Sequence, residues 1–249
     1  MIRIPALAAA AAAVTLTLAS GAGAQTLSGV SFDAGAGFRY SPDFVGSEDY
    51  DAKPWLILRN VSLSNAPAGD PASGFHIAPS ASYVGKRDSD DHERLRGIDD
   101  VDASVELGLK AGYRFGAIDT YGAVRKAVNG HEGVVGEVGA TYRTPLRDRV
   151  TLTSGVEAKY GNDRYMDTYF GVTPEESAAS GLRAFDAKAG FRSVGVEFEV
   201  RYQANDDWAM ISELRAARLV GDAADSPITQ DKNQYSIGLG VVRTFNFRF

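Results

Sequence analysis

Hydrophobic and polar residues alternate along most of this chain with a period of two, which is the repeat of an extended strand. The clearest run extends from Val101 to Phe115, where apolar side chains occupy the odd positions and charged, polar or glycine residues occupy the even ones. A strand of a soluble sandwich seldom keeps such a pattern for so long, whereas a barrel wall between lipid and a polar lumen requires it. The pattern predicts a strand with Leu107 in lipid and Glu106 in the lumen.

Repeats of this pattern predict an all-β fold, an up-and-down antiparallel transmembrane β-barrel of about ten strands. An even strand count places both chain ends on the same side of the membrane, as in other single-chain bacterial barrels. The alternation is weak in 52–63 and 118–128, so the faces of these strands stay open, and twelve strands is the alternative count. A change of parity between Phe191 and Val194 predicts a β-bulge near Ser193. The predicted strands are 29–40, 52–63, 75–84, 101–115, 118–128, 133–144, 150–161, 185–203, 208–219 and 234–249.

The connections between the predicted strands fall into a short set and a long set. Short turns are expected on the periplasmic side of an outer-membrane barrel, and long loops on the extracellular side. In one long loop, Thr173 followed by Pro174, Glu175 and Glu176 predicts the start of a helix. Aromatic residues near the strand ends predict the two interfacial girdles, with Tyr113, Phe115, Tyr142, Tyr202, Trp208, Phe247 and Phe249 on the periplasmic side and Tyr40, Tyr83 and Tyr160 on the outer side.

Both chain ends carry signals for export and assembly. Arg3, a short apolar stretch over 6–19 and the sequence Ala-Gly-Ala over 22–24 have the layout of a cleaved signal peptide. We therefore expect a signal peptide at 1–24 and a barrel domain at 25–249. The last strand ends in alternating aromatic residues, and its similarity to the endings of many outer-membrane barrels implies handling by the barrel-assembly machinery. The predicted assembly signal is Phe245, Phe247 and Phe249.

Composition narrows the class of protein further. The chain has no cysteine, which excludes a disulfide framework and thiol catalysis. Its net charge of −6 argues against a nucleic-acid partner. After the signal, no apolar run is long enough for a spanning helix, so a membrane protein of this composition must satisfy its backbone in a closed sheet. The expected location is the outer membrane, with its lipids around the wall.

The inward positions of the predicted strands carry charges of both signs. We expect these charges to form ion pairs that fill a narrow lumen, because an unpaired buried charge is costly. The alternative is a passage for small solutes, although ten strands lies well below the 16–18 of open porins. The predicted lumen-lining residues are Asp33, Arg39, Asp102, Glu106, Lys110, Arg114, Glu137, Arg143, Glu157, Lys159, Glu197, Glu199 and Arg201, with Glu213 and Arg215 beside them.

The sequence offers no pattern of catalytic, cofactor-binding or metal-ligating residues. Its three histidines lack HExxH spacing, and no nucleophile motif accompanies any of them. His92 and His131 fall in predicted loops, and we expect them to be solvated. The mixed-charge run from Lys86 to Arg94 also reads as a solvated loop, because it lacks the spacing and glycine of a calcium-binding hand. We therefore expect no enzyme, no metal and no cofactor.

Four stretches resemble the MltA-interacting protein (MipA/OmpV) family of outer-membrane proteins. They are YSPDFVGSEDYDAKP (40–54), GIDDVDASVELGLKAGYRFG (97–116), GNDRYMDTYFGVTPEESAASGL (161–182) with the following AFDAKAGFRSVGVEFEVRYQ, and LVGDAADSPIT (219–229). The resemblance implies an outer-membrane barrel. Some members of the family are described as scaffolds that link a lytic transglycosylase to a murein synthase. Others are linked to osmotic response, adhesion or antibiotic susceptibility.

Three functions follow from these observations. The first is a non-enzymatic scaffold with periplasmic murein enzymes as partners, which the resemblance implies. The second is a narrow channel for small solutes, and the third is a surface adhesin that acts through the outer loops. Short periplasmic turns offer a scaffold little docking surface, which weighs against the first function.

The mature protein is expected to begin at Gln25, because the small residues of the Ala-Gly-Ala sequence end at Ala24. N-terminal sequencing of the protein extracted from the outer membrane measures this directly. Recovery of Met1 at the start of the membrane form would contradict the export argument.

Overall fold

The fold was taken from a computed structural model that describes residues 29–64 and 74–248. The described chain consists of ten long strands, three short helices and a single 3-10 turn at Glu93–Leu95. The helices are α1 (Asp163–Phe170), α2 (Pro174–Ser180) and α3 (Gly221–Asp225). The strands are β1 (Gly29–Pro42), β2 (Tyr50–Ser64), β3 (Gly74–Val84), β4 (Ser104–Phe115), β5 (Ile118–Ala127), β6 (Val134–Arg147), β7 (Val150–Gly161), β8 (Gly190–Gln203), β9 (Trp208–Leu219) and β10 (Asn233–Arg248).

The strands form an up-and-down antiparallel barrel, as the alternation predicts. Sequential strands pair from β3 to β10, β10 pairs with β1, and β1 pairs with β2. Within the described ranges β2 and β3 are the two ends of this order, and they approach each other without a hydrogen-bonded ladder. Residues 65–73, which connect these two strands, lie outside the described part. The predicted fold class and the count of ten strands are therefore confirmed.

The register of the ladders fixes which side chains face inward. On β4, for example, Glu106 and Lys110 share a face that pairs with Ala127 and Ala123 of β5. The opposite face of the wall is apolar and exposed, which is the reverse of a soluble protein and is suited to lipid. Its exposed side chains include Leu56, Leu58, Leu107, Leu109, Val124, Val138, Val156, Val196, Phe198, Met210, Leu214, Ile237, Leu239 and Val241.

The two ends of the barrel differ in their connections. We call the end that joins β4–β5, β6–β7 and β8–β9 the turn end, and the opposite end the loop end. Large aromatic side chains at both ends of the wall are exposed on its apolar face, in the positions of interfacial girdles. They are Tyr113, Phe115, Tyr142, Tyr202, Trp208 and Phe247 at the turn end, and Tyr40, Tyr83 and Tyr160 at the loop end.

Two strands are shorter than the sequence pattern predicts. β4 begins at Ser104 rather than at 101, and β8 begins at Gly190 rather than at 185. Val101 forms an isolated bridge with Arg87, and Phe185 forms one with Val172. These residues have strand-like sequences, but they pack into the loops above the barrel instead of extending its wall.

The predicted irregularity in β8 is confirmed. Lys159 pairs with Ser193 and Tyr160 pairs with Phe191, so Arg192 is the extra residue of a β-bulge. A second irregularity between β1 and β2 was not predicted. It places Asn60 at φ 52°, and the Asn60 amide then donates to the Asp33 carboxylate at 2.8 Å.

The predicted helix in the long loop is also present. Its N-cap Thr173 accepts a hydrogen bond from the Glu176 amide at 3.1 Å, and the Glu176 carboxylate accepts one from the Thr173 amide at 2.8 Å. This reciprocal arrangement is a capping box. Helix α1 was not predicted, although its signal is visible: Asn162 caps it by accepting from the Tyr165 amide at 3.1 Å.

The loops at the loop end fold into a compact layer with two apolar clusters. We call this layer the loop cap and define it as residues 43–49, 85–103, 162–189 and 220–232. Buried aromatic side chains of α1 form the centre of the first cluster, and the second joins four separate connections. The first contains Val101, Val135, Tyr165, Met166, Tyr169, Phe170, Ala187, Leu219 and Ala223, and the second contains Phe44, Leu95, Ile98, Val172 and Ile228. None of the helices in the described ranges is long and apolar enough to cross a membrane.

The structure refines which apolar position on β4 should tolerate charge least. Leu109 is the sixth of twelve residues in β4 and pairs with the exposed Val124, whereas Leu107 pairs with Lys126, an exposed cation closer to the loop end. We expect Leu109→Arg to destabilise the barrel by about 2–4 kcal/mol, because a midplane charge loses the most solvation. Leu107→Arg should cost less. Urea unfolding in phospholipid vesicles measures both, and equal costs would contradict the depth assignment.

Candidate functional site

Buried and half-buried charges cross the barrel lumen in its middle section. Glu213 of β9 is only 1% exposed and accepts from Arg39 of β1 at 2.5 Å. The same carboxylate binds Arg59 of β2, which also binds Glu199 of β8. These contacts tie β1 and β2 to β9 and β8 across the strand or strands that lie between them in the sheet. We call the full set the arginine–glutamate cluster, which consists of Arg39, Arg59, Arg215, Glu197, Glu199 and Glu213.

An apolar group lies directly beside the arginine–glutamate cluster. The guanidinium carbon of Arg39 lies 4.3 Å from the ring centre of Trp55, and that of Arg59 lies 5.3 Å away. Trp55 fits there because Gly238 faces it: a Cβ on Gly238 would come within 2.8 Å of the indole ring. The side chains that pack together here are Trp55, Ile57, Ala209, Ile211 and Val242, which we call the apolar lumen patch.

A second polar network lies closer to the loop end. Glu106 binds Arg125 Nε at 3.3 Å and His131 Nε2 at 3.2 Å. Arg125 also binds Glu137 at 3.0 Å, and Tyr121 donates to Glu137 at 2.9 Å. His131 Nδ1 accepts from the Gly133 amide at 2.9 Å, so the ring proton lies on Nε2 and points at Glu106. The network is satisfied internally.

Further ion pairs fill the turn-end half of the lumen. Asp33 binds Arg201 at 2.7 Å and accepts from the Thr244 hydroxyl at 2.6 Å. Arg114 binds Asp119 at 2.9 Å across the β4–β5 hairpin. The lumen is therefore lined by paired charges along its length, as expected for a narrow barrel in which unpaired charge is costly.

Most of the predicted lumen residues occupy inward positions and have partners there. The two exceptions are Asp102, which is exposed in the connection before β4, and Arg143, which is exposed near the turn end. The assignment of Asp102 to the lumen is wrong because β4 begins after it. Residues placed in lumen contacts are Asp33, Arg39, Glu106, Lys110, Arg114, Glu137, Glu157, Lys159, Glu197, Glu199 and Arg201, together with Glu213 and Arg215.

Sequence reasoning missed several residues that hold the two networks together. Arg59 and Trp55 belong to β2, and Arg125 and Tyr121 belong to β5, the two strands in which alternation is weak. The register of the strand pairs, and not the residue types within each strand, indicates that these side chains point inward. Arg125 pairs with Gly108 of β4, whose face is unambiguous, so the register of the β4–β5 hairpin would have placed it inward.

Two residues expected to be solvated are buried, which corrects the sequence interpretation of the loops. His131 is buried, with Tyr165 and Tyr169 edge-on at 4.9 and 5.4 Å between ring centres. Arg87 is 4% exposed and donates to the carbonyls of Tyr169 at 2.9 Å and Thr168 at 3.4 Å, in the last turn of α1. Burial lowers the pKa of Arg87. A cation there stabilises the helix C-terminus and ties the loop to α1.

The three carboxylates of the arginine–glutamate cluster have the proximity that a metal site needs. Oxygen atoms of Glu197, Glu199 and Glu213 lie within 4.8 Å of one another. Arginine side chains nevertheless hold all three carboxylates. A hard cation would have to displace these guanidinium groups, so the arrangement is that of a salt-bridge network.

A family model described as MltA-interacting protein MipA matches residues 34–245. The chain belongs to this family. The MltA-interacting protein of Escherichia coli K12 is 27% identical over 168 residues, which cover 66% of this chain and 65% of that relative. The outer membrane protein OmpV of Vibrio cholerae is 29% identical over 161 residues, covering 64% and 61%. The chain thus spans about 65% of the length of the first of these relatives.

A relative of lower identity matches more of the chain. The putative outer membrane protein YiaT of Escherichia coli K12 is 23% identical over 228 residues, covering 87% of this chain and 91% of that relative. Among solved structures, the translocator domain of the autotransporter NalP from Neisseria meningitidis has a TM-score of 0.42 at 10% identity, covering 89% of this chain and 88% of that one. This MipA-family protein is an outer-membrane β-barrel, like the relatives named as outer-membrane proteins.

Removing the shared carboxylate of the arginine–glutamate cluster should destabilise the barrel. In Glu213→Gln, Arg39 loses its ion pair with Glu213, and Arg59 keeps only the glutamates of β8. We expect a loss on the order of 3 kcal/mol, because breaking a buried pair leaves charge uncompensated. The matched control is Asp207→Asn, which breaks an exposed pair with Arg243 at 3.4 Å and should cost about 0–1 kcal/mol. Vesicle unfolding midpoints compare the two, and equal losses would contradict a structural role for the cluster.

Proposed function

We propose that this protein is a non-enzymatic scaffold of the outer membrane that binds a periplasmic murein enzyme at its turn end. The observation that carries the proposal is the arginine–glutamate cluster, whose ion pairs connect β1 and β2 to β8 and β9 inside the lumen. A lumen occupied in this way, below a loop cap with its own apolar clusters, is poorly suited to solute transport. The binding capacity of the molecule then lies on its outer surfaces.

The polar networks support a non-enzymatic role. Both ring nitrogens of His131 are engaged, one by the Gly133 amide and the other by Glu106. A general base needs a free acceptor nitrogen beside a nucleophile, and this histidine has none to offer. The carboxylates of the arginine–glutamate cluster are held by guanidinium groups in the same way.

The β6–β7 hairpin is the surface best suited to docking at the turn end. β6 continues from Tyr142, opposite the start of β5, to Arg147, which pairs with Val150. Arg143, Arg147 and Arg149 are exposed there, and Leu146 is 52% exposed. A basic patch with an apolar centre fits an acidic protein surface, and it gives the short turns more docking area than their length alone suggests. The name of the Escherichia coli relative, MltA-interacting protein, is consistent with a protein partner.

We also propose that outer-membrane lipids surround the apolar wall and that the closing strand is recognised by the barrel-assembly machinery. Phe245 and Phe247 of β10 stack with Phe32 of β1 at 5.3 and 6.0 Å between ring centres. This aromatic group lies where the first and last strands close the sheet, which supports an assembly role. Phe249, the third predicted signal residue, lies outside the described range.

The test is capture of a periplasmic lytic transglycosylase by the immobilised, detergent-solubilised protein. We expect capture by the native protein and loss of capture by Arg147→Glu/Arg149→Glu, because the basic patch is reversed in sign. Arg164→Glu is the matched control, since Arg164 is an exposed arginine at the loop end paired with Glu132. Failure of the native protein to bind, or equal binding by both variants, would contradict the scaffold proposal.

A further inference from the structure

The junction between β2 and β3 differs from the other junctions of the barrel. Within the described ranges, all other neighbouring strands share a hydrogen-bonded ladder. Cα atoms of β2 and β3 come within 8 Å of each other, but these two strands share no ladder. Neighbouring strands in a sheet lie about 4.8 Å apart. A lipid-exposed strand edge is costly because its backbone groups lack partners. We call this junction the β2–β3 seam.

Each of the two strands at the seam carries a proline in its body. Pro79 is in the middle of β3 and pairs with Leu109 of β4. The backbone hydrogen bonds of β4 show which way the Pro79 nitrogen points. The Val105 carbonyl accepts from the Val128 amide, and the Val105 amide donates to the Asn129 side chain, both on the β5 side. Backbone N–H and C=O groups of successive residues point to opposite sides of a strand, so those of Leu109, four residues further on, also point towards β5. Its partner Pro79 therefore forms a non-hydrogen-bonded pair, and its backbone nitrogen faces the seam.

The same reasoning applies to Pro54 on β2. Asp43 donates to Asp49 at 3.0 Å across the β1–β2 connection, so the odd positions of β1 direct their backbone groups to β2. The backbone N–H and C=O groups of Phe38, at an even position, point towards β10 instead. Pro54 pairs with Phe38, and its backbone nitrogen therefore also faces the seam.

The backbone nitrogens of Pro54 and Pro79, which carry no hydrogen to donate, point towards the same seam. Proline in a strand is tolerated where its nitrogen needs no partner, and it hinders pairing with an added strand. The two residues therefore cost the existing ladders nothing and weaken any ladder between β2 and β3. They also disfavour closure of the seam by a strand from a second protein.

Apolar side chains of β2 flank the seam on both faces of the wall. On the lipid side, Leu56 and Leu58 are 81% and 55% exposed. On the lumen side, Trp55 and Ile57 belong to the apolar lumen patch, and β3 contributes the small residue Ala78 between the polar positions His76 and Ser80. Apolar groups thus lie on both sides of the one junction that has no ladder in the described part of the wall.

We propose that the β2–β3 seam is a lateral opening that admits the hydrocarbon chain of a membrane phospholipid to the Trp55 side of the apolar lumen patch. The chain covers the apolar rim of the seam, and no hydrogen bond from Pro54 or Pro79 competes with it. The opening is independent of the scaffold function, because it lies in the wall rather than at the turn end.

The two tryptophans of the chain provide the probe. Trp55 lies inside the lumen beside the seam, and Trp208 is 44% exposed on the lipid side. In a Trp208→Phe background, vesicles of phosphatidylcholine with brominated acyl chains should quench Trp55 fluorescence. Adding Pro54→Val and Pro79→Val restores two donors at the seam and should reduce that quenching.

Two controls keep the result specific. The first control is Pro145→Val, which adds a backbone donor in β6, away from the seam. The Arg143 amide donates to the Ala117 carbonyl, so the position 145 amide points the same way but lies past the end of β5. This substitution should leave Trp55 quenching unchanged. A Trp55→Phe protein reports Trp208, which should be quenched with or without the seam substitutions. Heat-modifiable migration confirms that each variant has folded. The proposal would be overturned if Trp55 is not quenched in the protein that keeps both seam prolines. It would also be overturned if quenching is equal with and without the seam substitutions.

Discussion

The fold depends on one constraint: every charge that the alternating pattern directs inward must find a partner inside a narrow barrel. Glu213 shows how the constraint is met. This carboxylate is buried on β9 and is shared by arginines from β1 and β2, so a single side chain links the first two strands to β9. The contacts of Asp33 and Glu106 repeat the arrangement at other depths. Pairing within the lumen lets the middle of the outer face stay apolar, because the charges at inward positions are satisfied inside. Exposed cations such as Lys126 lie on the outer face nearer the loop end.

The same constraint accounts for the loop cap. Polar groups just below the loop end, among them Glu106 and His131, are shielded from water by the aromatic side chains of α1. Arg87 in turn fixes α1 by binding the carbonyls of its last turn. The cap and the upper network thus stabilise each other.

Period-two alternation predicted the strand count, the faces of the strong strands and the bulge at Arg192, because each is a local property of the sequence. It predicted poorly wherever the inward face is not polar. β2 places Trp55 and Ile57 inward, so its two faces look alike in sequence, and Arg59 was not recognised beside them. The buried state of His131 depends on α1, more than thirty residues further along the chain, and no local pattern encodes that contact. The direction of the proline nitrogens at the seam became clear only from the ladders of neighbouring strands.

The central claim is that the lumen is filled by its own ion pairs and closed by the loop cap. Ion conductance of the purified protein in planar lipid bilayers tests it most directly. The account predicts insertion without stable conductance steps, because the ion pairs of the arginine–glutamate cluster occupy the lumen between β1, β2, β8 and β9. Long-lived ohmic steps that scale with salt concentration would contradict it and would favour a channel for small solutes.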